Sequence, residues 1–78
     1  MKVTAYFKSS RSRPDRAIIE DEWITRTMHH PEFEVLQEDG RIRRWARIEE
    51  NGGRYLRVVL LRDGVTVHNA FFDRRFQS

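Results

Sequence analysis

Polar and apolar residues alternate through much of the second half of the chain, which is the pattern of β-strands. Four segments carry this alternation: residues 32–37, 41–49, 54–62 and 65–72. Each break between them contains an Asp-Gly or Asn-Gly pair, a strong signal for a tight hairpin. Successive strands joined by such turns form an antiparallel meander, so we predict a four-stranded antiparallel sheet.

The first half predicts an N-terminal strand followed by one or two short helices. Apolar and polar residues alternate over residues 2–7, as in a short strand. Over residues 11–29 apolar side chains recur at helical spacing, and Pro31 ends the pattern because the residue before proline avoids helical backbone angles. The spacing leaves open whether this segment is one kinked helix or two short ones. We expect the helices to cover one face of the sheet, since so small a sheet needs a packing partner.

The length of the chain limits it to one domain, an α+β domain that spans residues 1–78. A chain this short cannot enclose a deep active site, so we expect function to lie on a surface or in a shallow groove. No apolar run is long enough to span a membrane, and no secretory leader is evident. We therefore expect a cytoplasmic protein with no membrane partner.

The sequence offers little for a metal or a cofactor. It has no cysteine, and the adjacent His29 and His30 would point to different sides of a helix. No glycine-rich phosphate loop or dinucleotide-binding fingerprint is present. We therefore expect no metal site and no cofactor.

Basic charge is concentrated in the second half, and almost all of it is arginine. Of 15 basic residues, 13 are arginines. Residues 1–40 carry 6 basic and 8 acidic side chains, whereas residues 41–78 carry 9 and 4. Arginine is well suited to bidentate contact with phosphates and to stacking on bases. The asymmetry favours a nucleic acid or an acidic protein as partner; the alternative is a merely solvated surface.

One candidate site follows the strand pattern of residues 41–49. Alternation places Arg43, Trp45 and Arg47 on one face, beside Arg57 of the next strand. Arginines can hold phosphates, and an aromatic side chain between them offers a stacking surface for an unpaired base. The alternative is that Trp45 packs beneath the helix and the arginines surround it.

A second candidate site is the C-terminal segment, where His68 lies close in sequence to Arg74 and Arg75. Histidine can take up or release a proton near neutral pH, and arginine can stabilise charge on a phosphate. RNA supplies its own nucleophile, the 2′-hydroxyl, so a ribonuclease of this kind needs no metal. We predict catalytic roles for His68, Arg57 and Arg74, and phosphate contacts from Arg75. The alternative is structural, with Phe71, Phe72 and Phe76 fixing the tail while Asp73 pairs with a nearby arginine.

The order of elements and several short motifs resemble small uncharacterised bacterial proteins similar to the RelE/ParE toxin superfamily. The motifs are SRSRPDR at 10–16, HPE at 30–32, QEDGRIR at 37–43, YLRVV at 55–59 and HNAFFDR at 68–74. The resemblance implies a β–α–α–meander fold and a toxin that pairs with a small antitoxin protein. It also implies ribosome-dependent cleavage of messenger RNA, or else inhibition of DNA gyrase. The candidate residues above come from the side-chain pattern and not from the resemblance.

Two hypotheses for function follow. The first is a toxin-like, RNA-directed protein of a toxin–antitoxin pair, acting as a metal-independent endoribonuclease on RNA at the ribosome. The second is a non-enzymatic module that binds a protein or a nucleic acid. An enzyme should gather His68, Arg57 and the Arg74–Arg75 pair in one shallow concavity, whereas a binding module should present an apolar patch or an open strand edge. The sequence leaves the oligomeric state open.

Overall fold

Three short helices precede four strands in the computed structural model, which describes residues 1–77. The helices are α1 (Ala5–Ser10), α2 (Pro14–Ala17) and α3 (Asp21–His29). The strands are β1 (Phe33–Leu36), β2 (Ile42–Ile48), β3 (Arg54–Leu60) and β4 (Val67–Phe72). A single 3₁₀ turn, Glu49–Asn51, leads out of β2. The segment that could have been one kinked helix is thus divided between α2 and α3.

The strands form one antiparallel sheet in the order β1-β2-β3-β4. The predicted α+β class and four-stranded antiparallel sheet are therefore confirmed. The glycine turns explain this success: Gly52 and Gly53 take φ angles of 70° and 73°, which other residues rarely adopt. One irregularity interrupts the last pairing, because Val59 faces Asn69 whereas the next residue, Leu60, faces Val67. His68 therefore has no residue opposite it and forms the bulge.

The strand predicted over residues 2–7 is wrong. Only Val3 makes a strand-like contact, an isolated parallel bridge to Val67, and helix α1 follows almost at once. Thr4 starts that helix, because its hydroxyl accepts the backbone N–H of Phe7 at 3.1 Å. Alternation over only six residues is a weak signal for a strand, and here the Thr4 cap favours a helix instead.

The helices cover one face of the sheet and leave the other uncovered by helix. Helix α3 packs on β2 and β3, and α1 packs on β4. The core between the layers contains Phe7, Ile19, Trp23, Ile24, Ile48, Leu56, Val58, Leu60, Val67 and Ala70. Because side chains alternate along a strand, Arg43, Trp45 and Arg47 lie on the opposite, open face. Within residues 1–77, no helix has the length and apolar character required to cross a membrane.

The turn between β3 and β4 is held by one carboxylate. Asp63 accepts the backbone N–H groups of Val65 and Thr66, each at 2.9 Å, and the Thr66 hydroxyl at 2.5 Å. These bonds, the Thr66 hydroxyl first, lower the pKa of Asp63 from its ordinary 3.8 to about 2. The charged form therefore fixes the turn immediately before the His68 bulge.

We expect Asp63→Asn to lower the melting temperature at neutral pH. Because the folded-state pKa is depressed to about 2 from 3.8, the stabilisation is complete above the higher value and is lost as pH falls through the lower one. Thermal unfolding of both proteins from neutral pH downward measures this, with the exposed Asp15→Asn as control. A difference that persisted unchanged into strong acid would contradict this account of the turn.

Candidate functional site

A shallow depression of about 360 Å³ lies on the open face of the sheet, around the bulged histidine. We call it the His68 depression. Side chains from α1, from the β1–β2 turn and from strands β2, β3 and β4 meet there. Its lining consists of Tyr6, Gln37, Arg41, Arg43, Arg57, Val59, His68, Asn69 and Phe71.

The lining is strongly basic, with three arginines and no acid. Two of the arginines pair with carboxylates that do not line the depression: Arg57 lies 3.6 Å from Asp73, and Arg41 lies 3.8 Å from Asp39. Arg43 has no ion pair among residues 1–77. Burial, followed by the charge of Arg43, lowers the pKa of Arg57 from its ordinary value, and Asp73 only partly opposes them. Guanidinium groups gathered in one partly buried depression favour a bound anion.

Arg57 is held firmly in place at the floor of this depression. Its guanidinium carbon lies 5.6 Å from the ring centre of Trp45 and 5.1 Å from that of Phe71. The contact with Asp73 fixes it from the side of the C-terminal tail. An arginine stacked between two rings and anchored by a carboxylate loses little freedom when an anion binds.

His68 occupies the bulge and is oriented by helix α1. Its Nδ1 lies 3.1 Å from the hydroxyl of Thr4, the residue that caps α1, and its ring stacks on Tyr6 with centroids 5.0 Å apart. Burial, followed by the charge of Arg41, lowers the pKa of His68 below its ordinary 6.5. The imidazole is therefore neutral near neutral pH. A neutral imidazole held beside cations can exchange a proton with a hydroxyl group of a ligand whose anionic group the cations bind.

Three of the residues predicted from the sequence come together here, and the others do not. His68, Arg57 and Arg43 share the His68 depression. Arg74 does not line it, contrary to its predicted place beside His68, because the chain leaves the sheet after Phe72. Arg47 and Arg75 are exposed elsewhere, and Arg47 pairs with Glu49 at 2.8 Å.

Trp45 cannot be the stacking surface that the sequence suggested, because it is only 5% exposed. Nor does it pack beneath a helix. The ring of Phe76 stacks on it from the open face at 4.7 Å, and its indole N–H donates to Asp73 at 3.1 Å. The structural interpretation of the C-terminal segment is thus confirmed for Phe76 and for Asp73, which pairs with Arg57.

Sequence reasoning missed Tyr6, Arg41 and Asn69. Tyr6 lies in the segment that alternates like a strand, and it stacks on a histidine far along the chain. The nearby contact between Thr4 and His68 spans 64 positions, so no local pattern in the sequence connects helix α1 with His68. Arg41 begins the predicted strand two residues before Arg43, so the same alternation could have placed it on that face. Asn69 is recognisable only from the bulge, which places it opposite Val59.

The candidate site is therefore a basic surface depression with one histidine, and its charge suits an anion. Within residues 1–77, no group of three or more histidine or acidic side chains is arranged to hold a metal ion. No family model matches the chain, and neither the curated proteins nor the solved structures contain a match to it.

Proposed function

We propose that this protein is a toxin-like, RNA-directed protein that binds single-stranded RNA at the His68 depression and cleaves it without a metal ion. The observation that supports the proposal is the arrangement of His68 with Arg41, Arg43 and Arg57 around one open depression that contains no acid. RNA is the substrate class that brings both a phosphate for the arginines and its own nucleophile for the histidine.

The chemistry needs few groups. Neutral His68 takes the proton from the 2′-hydroxyl, whose oxygen then attacks the adjacent phosphorus. Arg57 and Arg43 stabilise the charge that develops on the phosphoryl oxygens. The bond from phosphorus to the 5′-oxygen breaks, and that oxygen takes a proton from the solvent that reaches the open depression. The products are a 2′,3′-cyclic phosphate and a 5′-hydroxyl end.

The shape of the site favours an RNA that is already unpaired. A depression this shallow offers no wedge or channel that could open a duplex, so the strand must arrive with its backbone accessible. Messenger RNA held on the ribosome is such a strand, and it is the substrate that the resemblance to the RelE/ParE toxins implies. A small antitoxin as the neutralising partner belongs to the same proposal.

Binding tests the proposal without depending on the ribosome. A labelled RNA octamer with 2′-O-methyl groups cannot be cleaved, and fluorescence anisotropy measures its affinity. We expect Arg43→Ala to weaken binding and to reduce the salt dependence by about 0.7 in log–log slope per phosphate contact. Arg26→Ala removes the same charge from α3, on the opposite side of the sheet, and should have little effect. Equal affinity of the two variants would refute a phosphate site at Arg43.

The alternative function, a non-enzymatic module that binds a protein, is favoured by strand β1. It is an outer strand, and all four of its residues are exposed. Phe33, Val35 and Leu36 have 38%, 49% and 70% of their surface exposed. An open apolar edge can accept a strand from another chain. Glu34 pairs with Arg44 and Glu32 accepts the backbone N–H of Arg47, whereas Glu38 after the strand would attract a basic partner segment.

We expect Val35→Lys to abolish capture of such a partner by this edge, because lysine adds a charge where the edge is apolar. Binding of a labelled basic peptide in extended form, measured by fluorescence anisotropy, gives the effect, and Thr25→Lys on α3 is the matched control. Equal capture by both variants would contradict docking at β1. Sedimentation shows whether a second copy occupies the edge instead.

A further inference from the structure

A second basic depression adjoins the first, on the far side of Phe71. It has a volume of about 300 Å³ and lies between α2 and the outer strand β4. We call it the Arg54 depression. Three arginines and one acid contribute to it: Arg16, Arg54, Arg74 and Asp15. Its net charge is therefore positive.

The two exposed arginines of this depression are not used by the fold. Arg54 and Arg74 have no ion pair and donate no side-chain hydrogen bond among residues 1–77. The one acid, Asp15, lies 3.4 Å from Arg16 and is occupied there. The positive charge of Arg54 and Arg74 is consequently available to a ligand.

The two depressions share one wall, the side chain of Phe71. Phe71 lines both of them, and the guanidinium carbons of Arg16 and Arg57 each lie 5.1 Å from its ring centre. Arg16 also donates to the side chain of Asn69, at 2.5 Å, which belongs to the His68 depression. Arginines therefore lie beside Phe71 in both depressions, from the open face of the sheet to the edge of β4.

We propose that the Arg54 depression binds a second phosphate of the RNA strand whose scissile phosphate lies in the His68 depression. A single strand presents successive phosphates along a flexible backbone, so it can place one phosphate in each of two neighbouring basic depressions. A mononucleotide or free phosphate could fill only one of them. This inference rests on the proposed function and specifies its ligand. The ligand is a strand of several nucleotides, with one phosphate bound on each side of Phe71.

The test compares ligands of different length. Uridine 3′-monophosphate and the uncleavable 2′-O-methyl RNA octamer are titrated against the wild type, Arg54→Ala, Arg74→Ala and the double variant. We expect the double variant to bind the octamer at least tenfold more weakly, with the salt slope reduced by about 0.7 for each phosphate that is no longer neutralised. Its affinity for the mononucleotide should be unchanged. Because Arg54 and Arg74 are exposed, the variants should fold, which circular dichroism verifies.

Other results would overturn the inference in different ways. If the double variant binds the octamer like the wild type while Arg43→Ala weakens it, the second subsite is refuted and the proposed function stands. The second subsite is likewise refuted if the double variant binds mononucleotide and octamer with equally reduced affinity, since that is a general effect of charge. If the folded wild type binds neither RNA ligand, the proposed function fails and the inference fails with it.

Discussion

Cleavage of messenger RNA in a translation reaction is expected to fall by roughly a hundredfold to ten-thousandfold in His68→Ala, the range for loss of a general acid or base. Among the side chains that line the His68 depression, His68 is the only one of a residue type that ordinarily gains or loses a proton near neutral pH. The β4 bulge and the contact with Thr4 hold it in the depression that the three arginines also line. The rate of message cleavage, measured by primer extension over time, gives the effect.

The pH dependence distinguishes a base from a merely structural histidine. Burial and Arg41 lower the pKa of His68 below 6.5, so the neutral, proton-accepting form prevails at neutral pH. We expect the rate to be constant there and to decline only as pH falls through a value below 6.5. His30→Ala, at the exposed end of α3, is the control and should cleave normally. Equal rates in both variants would remove His68 from the chemistry.

Arg57→Ala is expected to reduce the rate of cleavage by roughly a hundredfold to a thousandfold. This is the typical loss when one group that stabilises charge in the transition state is removed. Arg57 is held between Trp45 and Phe71 before any anion arrives, and it lines the depression in that position. Arg57→Lys keeps a charge but loses the planar group that stacks on both rings. We therefore expect the lysine variant to recover only part of the rate.

Stability must be separated from catalysis in this variant, because Arg57 also pairs with Asp73. Urea unfolding of Arg57→Ala, Arg57→Lys and the wild type shows which proteins are folded under assay conditions. Arg26→Ala removes an equal charge from α3 and should retain the wild-type rate. If folded Arg57→Ala cleaves as fast as Arg26→Ala, Arg57 does not stabilise the transition state.

The sheet could be predicted from the sequence because its signals are local. Each hairpin has its glycine turn, and the alternation in β2 and β3 distinguishes core positions such as Leu56 from open-face positions such as Arg57. The N-terminal segment could not be read this way. There the cap formed by Thr4 begins a helix within a stretch that alternates like a strand.

The candidate site could be predicted only in part, for a related reason. His68, Arg57 and Arg43 were recognisable as chemistry-bearing side chains on paired strands. The burial of Trp45 depends on Phe76 folding back over the open face, and the contribution of Tyr6 depends on α1 lying beside β4. Such contacts between distant segments leave no periodic pattern in the sequence.

The central claim is that this protein cuts RNA at the His68 depression, and a cell-free translation reaction tests it most directly. Purified protein is added, and primer extension then maps the ends of the message. We expect discrete cleavage sites with the wild type and with Arg26→Ala, and none with His68→Ala or Arg57→Ala. Intact message and undisturbed translation in the presence of folded wild-type protein would contradict the claim and favour a binding module that uses β1.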